Sequence, residues 1–196
     1  MTTYSSLKYN HPFSSNATGT GSLTLISSQT ASASASISFT TGIDSTYDEY
    51  VFKFINVHPA TDAVRFSFNG SSDSGSNYNV TKTTTFFRAR HLENDASTFN
   101  YDDQDLAQST SYQFLTNPVG NDNDECCVGY LHLFEPSSTT FVKHFISTSS
   151  LYHSDSGEEN DYVGGYFNTQ NAINAIDFKF SSGNIDSGTI LMYGVK

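Results

Sequence analysis

The chain predicts an all-β fold: an antiparallel two-layer β sandwich, jelly-roll-like, preceded by an extended N-terminal arm. Three observations lead there. Ser and Thr supply 52 of the 196 residues and Phe and Tyr another 28, with no Trp. β-branched and aromatic side chains suit a pleated, half-buried surface, whereas Ser and Asn compete for helical backbone groups. Short apolar segments with a period of two, or with nearly continuous apolarity, recur between turn residues, as strands do. Helical periodicity is almost absent, and 104–115 is the single helix candidate.

Taken in order, residues 1–22 are mostly Ser, Thr, Asn and Gly without periodicity and read as an extended arm that needs a partner to order it. Strands are expected near 22–28, 35–41, 49–58, 63–69 and 82–91, and again near 126–134, 140–149, 162–168, 174–181 and 188–195. Val64, Phe66 and Phe68 alternate with Arg65 and Ser67, and Ile176, Phe178 and Phe180 with Asp177 and Lys179, so each segment turns one face to a core. In 49–58, Tyr50, Phe52 and Phe54 oppose Val51, Ile55 and Val57. Apolar residues on both faces place that strand centrally, between two covering layers. No internal repeat or Pro-rich linker divides the chain, so residues 23–196 read as one domain. At this length roughly 70% of the extended surface is buried on folding, and neither a disulfide nor a structural metal is needed.

Nine Lys and Arg against 20 Asp and Glu give a net charge of −11. Phosphate contacts would be repulsive, which excludes a nucleic-acid partner. No apolar run approaches the roughly 20 residues of a bilayer span, so no membrane insertion is expected. The start, Met1 to Ser6, has neither a basic segment nor an apolar core, and the reading places synthesis in a reducing cytoplasm. Cys126 and Cys127 are neighbours whose side chains would point to opposite faces of a strand, as two reduced small hydrophobes. Twelve of the 20 acids fall within 93–125 and 155–161, which hold no Lys or Arg, so two acidic loops are expected to interrupt the sandwich.

Asn121-Asp122-Asn123-Asp124-Glu125 concentrates hard oxygen ligands, making Asp122, Asp124 and Glu125 calcium candidates, although the EF-hand spacing is missing and a hydrated loop has the same composition. The stretch Ser154 to Asp161 reads as a solvated turn. None of the six His is spaced as a zinc motif, though His132 and His144 could face each other across a hairpin. No Gly-x-Ser-x-Gly elbow is present. Asp102, Asp103, Asp105 and Glu125 could form a glycosidase carboxylate pair only if the fold brings them together. Tyr beside Asn, Ser and Asp is the chemistry of sugar platforms, and the ligand-binding candidates are Tyr101, Asp102, Asp103 and Tyr112. No catalytic residue and no cofactor site is assigned.

Leu25 to Ser32, Ile37 to Tyr50 and Phe52 to Pro59, together with the closing Ser182 to Lys196, resemble small virion proteins of marine tailed bacteriophages over roughly a third of the chain. Such proteins are variously tail-fibre, tail-tip and capsid-surface components. The resemblance implies a non-enzymatic virion subunit, on an exterior tail or capsid surface, anchored by its arm and partnered by copies of itself and other virion proteins. It supplies no catalytic residue. A carbohydrate-binding module recognising host surface glycan is the alternative, and a polysaccharide hydrolase a remoter one. The stretch 93–161 resembles nothing in that group.

Overall fold

The computed structural model describes residues 23–196, so the expected arm 1–22 lies outside the described residues. Twelve strands and no helix occur among them: β1 Thr24–Ser34, β2 Ile37–Phe39, β3 Glu49–Pro59, β4 Phe66–Ser71, β5 Lys82–Leu92, β6 Ser97–Tyr101, β7 Gln113–Phe114, β8 Cys127–Phe134, β9 Lys143–His153, β10 Gly157–Phe167, β11 Ala175–Phe180 and β12 Ile185–Val195. Eight form one sheet in the order β1-β12-β3-β8-β9-β10-β5-β6, and four form the other, β2-β11-β4-β7. All pairings are antiparallel. The chain changes sheet at eight of the eleven connections, which makes this a jelly-roll-like two-layer β sandwich. All ten expected strands are present.

Inward-facing aromatics hold the two sheets together. Phe66 and Phe68 of β4 and Phe178 of β11 meet Phe52 and Phe54 of β3 and Phe145 of β9, with ring centroids 5.0 to 5.4 Å apart and three of the four pairs edge-to-face. That arrangement follows from the ring quadrupole, which disfavours a face-to-face sandwich. Tyr50 is fully buried, and its hydroxyl accepts from Asp44 N and donates to Asp44 O, so the polar end of this core residue is satisfied.

The structure corrects four expectations. Segment 104–115 is not helical: it runs along β5, with Thr84 N donating to Leu106 O and Lys82 N to Ser109 O, both at 2.9 Å. Its polar side chains take local partners instead of forming an apolar helical face: Ser109 Oγ accepts from Ser111 N, Gln113 Nε2 donates to Gln104 O and Phe114 O, and Gln108 Nε2 donates to Thr83 Oγ1. The acidic stretch 93–125 carries two strands, β6 and β7. Of the stretch 154–161, only Ser154 to Ser156 is a turn, with Asp155 and Ser156 exposed, whereas Gly157 to Asp161 belongs to β10 and Glu159 and Asp161 are wholly buried. Finally, β3 has no second covering layer among the described residues. A bulge at Asn56, with φ 50°, breaks its alternation and turns Val57 into the core while Ile55 stays 44% exposed.

The inner face of the larger sheet changes character along its strands. At one end Phe167 of β10 stands between Lys143 of β9 and Lys82 of β5. Both lysines are buried. Lys143 Nζ donates to Phe141 O and Thr169 O, while Lys82 Nζ donates to Ser111 O, and burial lowers Lys82 to about 7. Between the ends, Phe86, Phe145, Leu151 and Val163 share this face with the small polar Thr84, Ser147 and Ser149. The other end carries the charged groups described next.

Candidate functional site

β5, β9 and β10 place Arg88, Arg90, His153, Glu159 and Asp161 on the inner face of the larger sheet, because alternate residues of a strand share a face. Arg88 Nη1 donates to Glu159 Oε1 at 3.2 Å, and its Nε lies 3.0 Å from Asp102 Oδ2. Arg90 Nη2 donates to Asp155 Oδ2 at 2.9 Å, and its Nε lies 3.6 Å from Glu159 Oε2. Asn117 N donates to Asp161 Oδ2 at 2.6 Å, and Asn117 Nδ2 to Asp161 Oδ1 at 3.2 Å. His153 Nδ1 accepts from Asp155 N at 3.0 Å, and its Nε2 lies 3.9 Å from Glu159 Oε2.

Burial, and then the charge of Glu159, push the carboxyl of Asp161 up to about 8, so it keeps its proton at neutral pH. Burial, and then Arg90, hold His153 below its usual range, which keeps the ring neutral. Two guanidinium groups thus face carboxylates around an uncharged acid and an uncharged imidazole. With no exposed surface on Glu159 or Asp161, these two acids tie β5, β10 and the 102–117 segment together, while Arg88, Arg90 and Asp155 keep part of their side chains at the surface.

A pH dependence follows. The folded protein keeps a proton on Asp161 that the unfolded chain releases near its ordinary value of 3.8, so stability declines as pH rises from about 4 to about 8. Asp161→Asn keeps the shape and removes the ionisation. Thermal unfolding of this variant is expected to vary less than the natural protein's between about pH 5 and pH 8. An equally steep decline in both would move the cause away from Asp161.

The sequence-derived candidates are dispersed. Tyr101 closes β6 on the outer face of the larger sheet, with its hydroxyl donating to Asp105 Oδ2 at 2.7 Å. Asp102 turns inward to Arg88, and Asp103 accepts from Gln104 Nε2. Tyr112 lies just before β7, against the other sheet: it donates to Asp177 Oδ2 at 2.9 Å beneath Lys179, whose Nζ lies 4.0 Å from the ring centroid. Burial, and then the Asp177 charge, raise the Tyr112 hydroxyl above its ordinary value.

Among the calcium candidates, Glu125 folds back so that its Oε2 accepts from Asp122 N at 2.8 Å, leaving Asp122 and Asp124 exposed beside it. No group of three or more His, Cys, Asp or Glu is placed to hold a metal among the described residues. His132 is bonded to Glu49 and sits opposite Ile146, two positions from His144 along β9, so the two histidines do not face each other. Cys127 is buried and Cys126 partly exposed, both as free thiols.

The remaining surface of interest is the outer face of the larger sheet. Exposed Ile55, Val128, Tyr130, Ile146, Phe87 and Phe99 are spread over β3, β8, β9, β5 and β6. Phe87 stacks on Tyr162 of β10 at 4.9 Å and 8° and packs beside Phe99 at 5.9 Å. The arrangement is a broad, sparsely charged plane with rings on it, suited to contact with another surface. No helix is long and apolar enough to cross a membrane among the described residues. No family model, no curated protein and no solved structure matches the chain.

Proposed function

We propose that this protein is a non-enzymatic exterior subunit of a tailed-phage virion, made in the host cytoplasm, anchored through residues 1–22, and presenting its larger sheet toward the host surface. The observation that carries the reading is the outer face of that sheet, where apolar and aromatic side chains stand exposed on five strands of a chain with a net charge of −11. Monomeric proteins rarely leave such a plane uncovered without a use for it.

Two further features support it. The segments that resemble marine tailed-phage virion proteins fall on β1, β2, β3 and β12, and β1, β12 and β3 are neighbours in the larger sheet. The chain enters the described structure at Leu23, beside the β1 edge. An anchor attached at that edge leaves β8, β9, β10, β5 and β6 directed away from it. The carboxylates that a hydrolase would need, Asp102, Asp103, Asp105 and Glu125, are each engaged with a different partner, which favours a binding role over turnover.

Deleting residues 2–20 tests the anchor. The truncated protein is expected to unfold at the same temperature as the full chain and to be missing from purified particles. Undiminished incorporation would overturn the reading, and electron microscopy of labelled particles would locate the full-length subunit.

A further inference from the structure

One glycine on the outer face has no structural reason to be glycine. Of the eleven among the described residues, ten sit where an added Cβ would come within 3.0 Å of another atom. At Gly164 the nearest atom to an added Cβ is Thr85 Oγ1 at 3.6 Å, an ordinary contact, and its backbone is in a conformation open to any residue. Gly in the middle of a strand weakens it and often marks a place where a ligand or another chain comes close. A trough of about 450 Å³ lies over Gly164 in this face of the sheet.

Gly164 forms the floor. His144 and Ile146 of β9 line one side, Thr83 and Thr85 of β5 the other, and Tyr166 one end. Along β10, Tyr162 flanks Gly164 on the opposite side from Tyr166, each about 6.6 Å away. Tyr162 is stacked on Phe87, which extends the ring surface beyond the trough. The His144 and Tyr166 rings are tilted by 58° with centroids 5.9 Å apart. Among the described residues, nothing accepts from or donates to the Tyr166 hydroxyl or the His144 ring nitrogens. The lining contains no Asp, Glu, Lys or Arg, although the chain has 29 such residues, 20 acidic and 9 basic.

A lining of rings, hydroxyls and one imidazole, without a carboxylate, ammonium or guanidinium, holds no permanently charged partner for a phosphate, carboxylate or ammonium group. It suits a molecule with an apolar C–H face and hydroxyl edges. We infer that the trough over Gly164 binds a neutral saccharide, with its C–H face against Tyr166 and His144 and its hydroxyls on Thr83, Thr85 and the His144 ring. This rests on the attachment reading above and names the host chemistry that would be recognised. The position agrees with it: β10 lies five strand steps, roughly 24 Å, from the β1 edge where the chain continues toward residue 1.

The test is calorimetric titration of the full-length protein with short neutral oligosaccharides of glucose, galactose, mannose and N-acetylglucosamine, and with uronic-acid oligosaccharides as the charged comparison. The natural protein is expected to bind at least one neutral oligosaccharide and none of the acidic ones. Gly164→Ile, which puts a branched side chain on the floor of the trough, is expected to weaken binding at least about tenfold. Tyr166→Ala should weaken it as well, and serves as the second variant should the first fold poorly. Absence of neutral-sugar binding, equal binding by both variants, or preference for the acidic sugars would overturn the inference.

Incorporation into particles separates its failure from that of the attachment reading. Gly164→Ile should be incorporated normally, and the 2–20 deletion should bind sugar while failing to incorporate. A Gly164→Ile protein that is lost from particles would make the trough an assembly contact and overturn the saccharide assignment, while leaving the subunit role standing.

Discussion

Phe178→Ala is expected to cost about 3–5 kcal/mol of stability, the range for emptying a large aromatic site in a packed core. Phe178 is wholly buried on β11, with ring centroids within 6.3 Å of Phe39, Phe52, Phe54, Phe66 and Phe68. Those five rings come from both sheets, so none can move into the space without opening its contact with another. Phe178→Leu keeps more of the volume and should cost clearly less. Denaturant unfolding measures both. A cost below about 1 kcal/mol for the alanine variant would mean that the sandwich closes around the gap and that the ring is not central to it.

Glu159→Leu is expected to cost about 3 kcal/mol, because it leaves Arg88 and Arg90 without the carboxylate they share. The effect belongs at the low end of the range for broken buried ion pairs. Arg88 keeps Asp102, Arg90 keeps Asp155, and the two arginine side chains retain 22% and 16% exposure. Adding Arg88→Met to Glu159→Leu removes one stranded cation and should recover part of the loss, since apolar replacement of a whole buried charge cluster is often close to neutral. A single variant as stable as the natural protein would show that water already screens this cluster. A double variant that is no better than the single would place the penalty outside the arginines.

Where the sequence could be read, it could be read because one face of a strand was apolar. Phe66 and Phe68, or Ile176, Phe178 and Phe180, alternate with polar residues and define both strand and face. The same rule fails at Val57, which shares parity with Ile55 yet lies in the core, because Asn56 inserts an extra residue. It also fails at Glu159 and Asp161. Their side chains point inward with Val163 and Phe167, but acids in a run of acids look like surface. The available clue was on another strand: Arg88 and Arg90 repeat the same two-residue spacing, ready to face such a pair. β6 stayed hidden because all five of its residues are exposed and no in-and-out pattern marks it. The trough over Gly164 leaves no mark either, since whether a glycine is required for packing is a question of neighbours from three strands.

The charged ends of the inner face bear on how the strands find their alignment. A shift of β5 against β10 by one residue is forbidden by burial, but a shift by two preserves every inside and outside position. In the native alignment Phe167 meets Lys82, Glu159 meets Arg90 and Asp161 meets Arg88. Sliding one way sets Arg90 against Gly157 and draws Lys82 away from Phe167 to Gly165. Sliding the other way sets Glu159 against Leu92. Either error strands a charge in a dry interior, so polar groups that add little net stability give the folding chain a unique answer among alternatives that its apolar residues alone would leave nearly equal.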